Sequence, residues 1–247
     1  MEGPSFVLVP GAGGSPWYWH RVAPKLQERG HEAVAVALPA ADDSARLPEY
    51  AATVVRAIGE RDPRRVVLVA QSLAGFVAPL VCKEIPLAML VLVNAMIPKP
   101  GETPGEWWAN TRHDAVKRTP FDPLVDLFHD VPQPVIDEAF AQGEPRQSAS
   151  VFASPCAFES WPAVPTRVLV GRDDRFFPAR FQRRVARERL GIPVDGMPGG
   201  HLLALSQPEE LAARLEAYAV SRPRGAKQRG RGAALNRASA AASSRRS

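Results

Sequence analysis

The chain has two cysteines in 247 residues, Cys82 and Cys156. Neither joins histidines or carboxylates at metal-ligand spacing, so no metal is expected. Two isolated cysteines in a chain of this size are expected to be free, mostly buried thiols, with a cytoplasmic location as the default. Long apolar runs are also missing. The stretch Ala88 to Ala95 is far short of the roughly 20 residues a membrane-spanning helix needs. Met1-Glu2-Gly3-Pro4 leads straight into Ser5-Phe6-Val7-Leu8-Val9 with no basic region or long apolar core, so no secretory signal is expected. Pro10-Gly11-Ala12-Gly13-Gly14 lacks Gly-Lys-Ser/Thr and any G-x-G-x-x-G arrangement, which sets aside a nucleotide cradle. No cofactor is expected, and there is no internal repeat.

Acidic residues are missing from the C-terminal stretch, where basic ones are dense. Residues 221–247 hold eight Arg or Lys and no Asp or Glu, and the preceding 220 residues carry 23 basic against 26 acidic groups. The formal charge of +5 therefore belongs to a tail rich in Arg, Ala, Ser and Gly, not to the body. Such a composition cannot bury enough apolar surface to offset its ordering entropy, and disorder is expected there. No aromatic stacking pattern or recognition helix accompanies the charge, so no specific nucleic-acid partner is expected.

What remains is an alternation of short apolar strands and helices over about residues 1–220. Strands read at Phe6–Val9, Ala33–Leu38, Val66–Ala70, Leu87–Asn94, Arg167–Gly171 and Val194–Met197. Helices read at about Trp17–Arg29, Leu47–Glu60, from Ser72 to Lys83, Ala179–Arg189 and Pro208–Val220. Strands that are apolar on both faces imply an α/β fold with a mainly parallel sheet covered by helices. The rhythm breaks between about residues 97 and 165. That segment is rich in proline and aromatics, has a helix pattern near Pro134–Gln142, and is too long for a strand–helix loop. It reads as a small cap insertion over the sheet edge.

Three groups carry chemistry. Ser72 follows the apolar run Val66 to Ala70, after Gln71, and opens a helix pattern, as a nucleophile does on a sharp strand-to-helix turn. The flanking Ala70 and Ala74 stand where glycines are usual; both are small enough for a tight turn. His201 follows Pro198-Gly199-Gly200 just after the last strand, and it alone of five histidines lies in a glycine-rich turn there. His20, His31, His113 and His129 fit ordinary capping or surface roles. Asp174 stands at the end of a strand, in the order Ser, Asp, His, with Asp173 as its rival. Serine needs a base to take its proton, imidazole can serve near neutral pH, and a carboxylate would fix the tautomer and stabilise the imidazolium. Backbone N–H groups of Ala12 and Leu73 are the candidate oxyanion donors. Gln71 and Asn94 are read as organising the polar edge. Trp107, Trp108, Phe121, Phe128 and Phe158 are substrate-pocket candidates.

The chain resembles the α/β-hydrolase superfamily over roughly residues 5 to 220, and within it the compact esterase and hydroxynitrile-lyase branch. The resemblance rests on Val9-Pro10-Gly11-Ala12-Gly13-Gly14 followed by Trp17, and on Gln71-Ser72-Leu73-Ala74-Gly75. It rests also on Gly171-Arg172-Asp173-Asp174-Arg175-Phe176-Phe177-Pro178 with Phe181-Gln182, and on Gly199-Gly200-His201. It implies Ser72 as nucleophile, His201 as base, Ala12 and Leu73 as oxyanion donors, and Asp174 in preference to Asp173 as acid. Pro10 and Gln71 stand where that family usually has histidine. Leu202 stands where the lyases carry lysine; an apolar side chain cannot stabilise departing cyanide, which argues against a cyanohydrin lyase. The function this implies is a cofactor-free serine carboxylesterase acting on a small or medium hydrophobic ester through an acyl-enzyme. Lactone or thioester hydrolysis, acyl transfer, and an inactive hydrolase-like binding protein are the alternatives.

Overall fold

In this computed structural model, residues 3–113 and 120–221 are described, so the basic tail lies outside the described residues except for Ser221. The elements run β1 (Ser5–Val9), α1 (Ala23–Glu28), β2 (Glu32–Ala35), α2 (Leu47–Ile58), β3 (Val66–Gln71), α3 (Ala78–Glu84) and β4 (Met89–Val93). After these come α4 (Pro104–Asn110), α5 (Pro123–Asp126), α6 (Gln133–Ala141), β5 (Thr166–Gly171), α7 (Ala179–Leu190), β6 (Val194–Met197), α8 (Leu203–Ser206) and α9 (Pro208–Val220). Every described strand pairing is parallel, in the order β2-β1-β3-β4-β5-β6.

The apolar runs of β1, β3 and β4 are buried along their whole length because both sheet faces are covered. Alternate residues serve opposite faces. Val7, Val9, Leu68, Ala70, Leu90 and Leu92 pack with Tyr50, Val54 and Ile58 of α2, Val81 of α3, and Phe181 and Val185 of α7. Phe6, Leu8, Val67, Val69, Val91 and Val93 pack with Leu26 of α1, Leu203 of α8, and Leu211 and Leu215 of α9. In α2 the buried positions Leu47, Tyr50, Ala51, Val54 and Ile58 follow helical spacing, so one stripe faces the sheet.

Two helix patterns break where proline dictates. The first is a 3-10 turn over Pro16–Trp19 followed by α1, which has Pro24 in its first turn. The second is a 3-10 turn over Ser72–Phe76 followed by α3, which has Pro79 in its first turn. Proline has no N–H to give and its ring clashes with the preceding turn, so a helix starts at it more readily than it passes through. The insertion between β4 and β5 carries α4, α5, α6 and a 3-10 turn over Ala149–Ala153. The Thr103 hydroxyl accepts from the Glu106 N–H at 3.1 Å, and the Glu106 carboxylate accepts from the Thr103 N–H at 2.9 Å, which starts α4. No described helix is long and apolar enough to cross a membrane.

Candidate active site

β3 delivers Ser72 at its carboxyl end, in the turn that follows the strand. Ser72 has φ 50°, a left-handed conformation that costs a non-glycine residue on the order of 1–3 kcal/mol and needs surrounding structure to hold it. The Ser72 carbonyl accepts from the Met96 N–H at 2.9 Å, which ties the turn to the chain leaving β4. That tie depends on Gly75, since a Cβ there would fall 2.0 Å from the Met96 carbonyl oxygen. The next strand along supplies the acid. Gly171 at the end of β5 packs so closely on the histidine loop that a Cβ would lie 2.4 Å from the carbonyl oxygens of Gly199 and Gly200.

The three groups meet. His201 Nε2 is 3.2 Å from Ser72 Oγ, and His201 Nδ1 is 2.9 Å from Asp174 Oδ2. All three residues are buried. An ionised carboxylate can only accept, so Nδ1 carries the hydrogen and Nε2 presents its lone pair to the serine. Asp174 Oδ1 also accepts the N–H groups of Phe176 at 2.9 Å and Phe177 at 2.7 Å, and Oδ2 accepts from Gln182 Nε2 at 3.1 Å. These donors compensate a carboxylate that would otherwise be costly to bury. Asp173, the rival, turns its carboxylate to the Gly199 N–H at 3.0 Å.

The sequence assigned Asp130 and Tyr18 no role, and Gln182, Phe176 and Phe177 stood only within the segments that carry the resemblance. Asp130, between α5 and α6, accepts the Gly200 N–H at 2.6 Å, so the insertion reaches the residue before His201. Gln182 on α7 steadies Asp174. Phe176 and Phe177 stand nearly perpendicular to the imidazole, with ring centroids 5.1 and 5.0 Å away. Asn94 is more than a polar edge: it is fully buried and links β5 to the histidine loop. Tyr18 accepts from the Ala204 N–H, and burial, with the charges of Asp174 and Asp130 adding to it, pushes its phenol far above the usual range. His113 lies inside and not on the surface, packed among Trp107, Trp108, Phe176 and Phe177, whereas His31 is half-buried beside Glu216.

The backbone N–H groups of Ala12 and Leu73 donate no hydrogen bond among the described residues, whereas those of Gly11 and Gly13 are taken by Gln71 and Gln147. Of the aromatic candidates, Trp107 and Phe158 are buried in the core on the α2–α7 side, and Trp107 Nε1 donates to the Ile97 carbonyl. Trp108 and Phe121 both pack on Phe176, which itself touches His201. Phe128 meets Phe140. A groove of about 890 Å³ lies elsewhere, at the amino ends of the strands, lined by Ser5, His31, Glu32, Arg61 and Asp62. Its Arg61 and Glu32 are already paired at 2.6 Å, and ligands of such sheets bind at the opposite, carboxyl ends. No group of three or more His, Cys, Asp or Glu among the described residues is placed to hold a metal.

The sequence profile of the alpha/beta hydrolase family matches residues 6–214. Norfluorocurarine synthase 1 from Strychnos sp is 22% identical over 87% of this chain and 94% of its own length. A shorter match is closer: a probable esterase, PIR7A, from Oryza sativa subsp. indica, is 34% identical over 42% of this chain and 43% of its own. The crystal structure of polyneuridine aldehyde esterase superposes with a TM-score of 0.74 at 21% identity, covering 87% of this chain and 99% of that one.

Proposed function

This chain belongs to the alpha/beta hydrolase family, and from that premise we propose that it is a serine carboxylesterase for small or medium hydrophobic esters. The observation that carries the reading is the unbroken path Ser72 Oγ to His201 Nε2 and His201 Nδ1 to Asp174 Oδ2, at 3.2 and 2.9 Å. In this reading Ser72 attacks the ester carbonyl as His201 takes its proton, and Asp174 stabilises the imidazolium. The free N–H groups of Ala12 and Leu73 receive the oxyanion. His201 then protonates the departing alcohol and next activates a water, which releases the acid and frees Ser72. Esterase names among the compared proteins support the ester class. The aromatic surround supports a hydrophobic substrate, with Trp108 and Phe121 as the pocket residues most directly linked to His201 through Phe176. Two unpaired cysteines fit a cytoplasmic place of action.

Covalent labelling tests this. A fluorophosphonate should modify the full chain at Ser72, and Ser72→Ala should abolish both labelling and hydrolysis of p-nitrophenyl acetate. A correctly folded protein that takes no label would be a hydrolase-like binding protein. Asp174→Ala should lower turnover by about 10⁴-fold, and Asp173→Ala by much less; equal losses would reject the assignment of the acid. A screen across acyl lengths, lactones and thioesters then fixes the substrate class.

A further inference from the structure

Gln71 directly precedes the serine and is almost completely buried. Its amide orientation is set by a neighbour that can only donate: the Gly11 backbone N–H lies 3.0 Å from Gln71 Oε1. That assignment turns the amide NH2 towards the imidazole, 3.3 Å from His201 Nε2. Ser72 Oγ lies 3.2 Å from the same nitrogen. Two donors therefore converge on one ring nitrogen while Nδ1 is engaged by Asp174. Serine can reverse its role, because a hydroxyl both donates and accepts. The amide NH2 cannot.

We propose that Gln71 is a positioning residue that holds His201 Nε2 as a hydrogen-bond acceptor, above all in the acyl-enzyme, where Ser72 has lost its hydroxyl proton and can no longer donate. The inference rests on the serine-hydrolase reading. Once Ser72 Oγ is bonded to the acyl group, the Gln71 amide keeps the ring aimed and its lone pair ready for the hydrolytic water. When His201 carries the proton, its Nε2–H gains no acceptor from the Gln71 amide and stays available to the leaving alcohol. Because the other end of the amide holds Gly11, beside Ala12, one side chain joins the base to the oxyanion loop.

Among the described residues, the remaining groups around His201 make no hydrogen bond to the Gln71 side chain, whose partners are the Gly11 N–H and the imidazole. Those groups are Asp174 from the turn after β5, the rings of Phe176 and Phe177, and Asn94 on the His201 carbonyl. Asp173 and Asp130 hold the N–H groups of the two preceding glycines, His129 lies against Gly200, and Tyr18 lies in the field of Asp174 and Asp130.

The test is the pH dependence of Ser72 inactivation by a fluorophosphonate, read beside p-nitrophenyl acetate hydrolysis. In Gln71→Glu one oxygen can still accept from Gly11 while the other faces Nε2 as an acceptor and favours the imidazolium. The acid limb should move up by about one pH unit or more, a roughly tenfold slower reaction at pH values below the limb. In Gln71→Met no donor remains and the limb should move up by less. A limb that superimposes on the parent's in the folded variants overturns the proposal. A third measurement does not alter Gln71: in Ser72→Ala, ¹⁵N NMR should find His201 Nε2 unprotonated at neutral pH with the amide as its remaining donor, and a protonated Nε2 would equally overturn the proposal. A parent chain that takes no label defeats the serine-hydrolase reading itself; a labelled parent with an unmoved limb defeats only the role of Gln71.

Discussion

Asn94 shows how much of the site depends on side chains outside the three reacting groups. It is fully buried at φ 44°, and its amide is used at both ends. Nδ2 donates to the Gly200 and His201 carbonyls at 3.0 Å each, and Oδ1 accepts from the Gly171 N–H at 2.8 Å and Gln182 Nε2 at 3.3 Å. Asn94→Ala strands several of these in the interior, at about 1–3 kcal/mol for each group left unpaired. A loss of about 2–4 kcal/mol in a denaturant titration is expected, together with slower turnover because the histidine loop loses its anchor. Asn94→Asp keeps the shape but turns an acceptor towards two carbonyls, so it should not rescue. Unchanged stability in Asn94→Ala would remove Asn94 from this role. Ser72 and His201 were legible in the sequence because their signals are local: a strand running into a turn, and a glycine pair after the last strand. Asp174 and Asp173 share one turn, and in the sequence only the resemblance favours Asp174, whose carboxylate lies 2.9 Å from His201 Nδ1. Gln182 stood in a segment that carries the resemblance but with no role assigned, and Asp130 was not legible at all. Nothing beside Asp130 in the chain marks it, and its partner Gly200 lies 70 residues away.

The same distinction between local and distant causes governs the elements. The strands could be read because burial on both faces forces continuous apolar runs, and Val194–Met197 falls where its short pattern placed it. The segment between β4 and β5 could be recognised as an insertion, but its helices are short and rely on contacts made elsewhere in the chain. One such contact roots it. Glu102, just before α4, forms a buried ion pair with Arg189 at the end of α7, with Arg189 Nη2 donating to Glu102 Oε1 at 2.9 Å. Asn110 Nδ2 donates to Glu102 Oε1 at 2.8 Å, and Arg189 also donates to the Ile97 carbonyl at 2.6 Å. Both side chains are 3% exposed, so removing one partner leaves the other charge stranded. Glu102→Ala should cost about 3–5 kcal/mol, measured as a lower urea midpoint. A hydrophobic pair of similar volume, Glu102→Leu with Arg189→Met, should recover much of it. A single substitution that left the midpoint in place would show that the pair does not hold the insertion to α7.

At the scale of the whole molecule, charge pairs on one flank couple folding to pH. Glu216 on α9 faces both His31 and Arg29, and Glu209 faces Lys25 and Arg29, so α9 is tied electrostatically to α1 and to the turn before β2. The His31 hydrogen bond first, and that of Arg29 after it, hold the Glu216 carboxyl below its usual value near 4.5. Arg61 does the same for Glu32 at the start of β2. A carboxylate whose folded value lies below its unfolded value stabilises the fold at pH values above the unfolded value. That contribution is lost as pH falls through the folded value. These groups remain partly exposed and solvent screens them, so each effect is small and weakens further with salt. The expected outcome is a melting temperature that falls between about pH 5 and pH 3, more steeply in the parent than in Glu216→Gln, with the difference shrinking in 1 M NaCl. The opposite sign, a parent that gains stability over the variant as carboxylates protonate, would mean that Glu216 is destabilised by its burial more than it is helped by its cations. The triad acid lies outside this flank, buried beneath its own donors, so the variant should keep the parent's rate of Ser72 labelling at neutral pH while its acid unfolding differs.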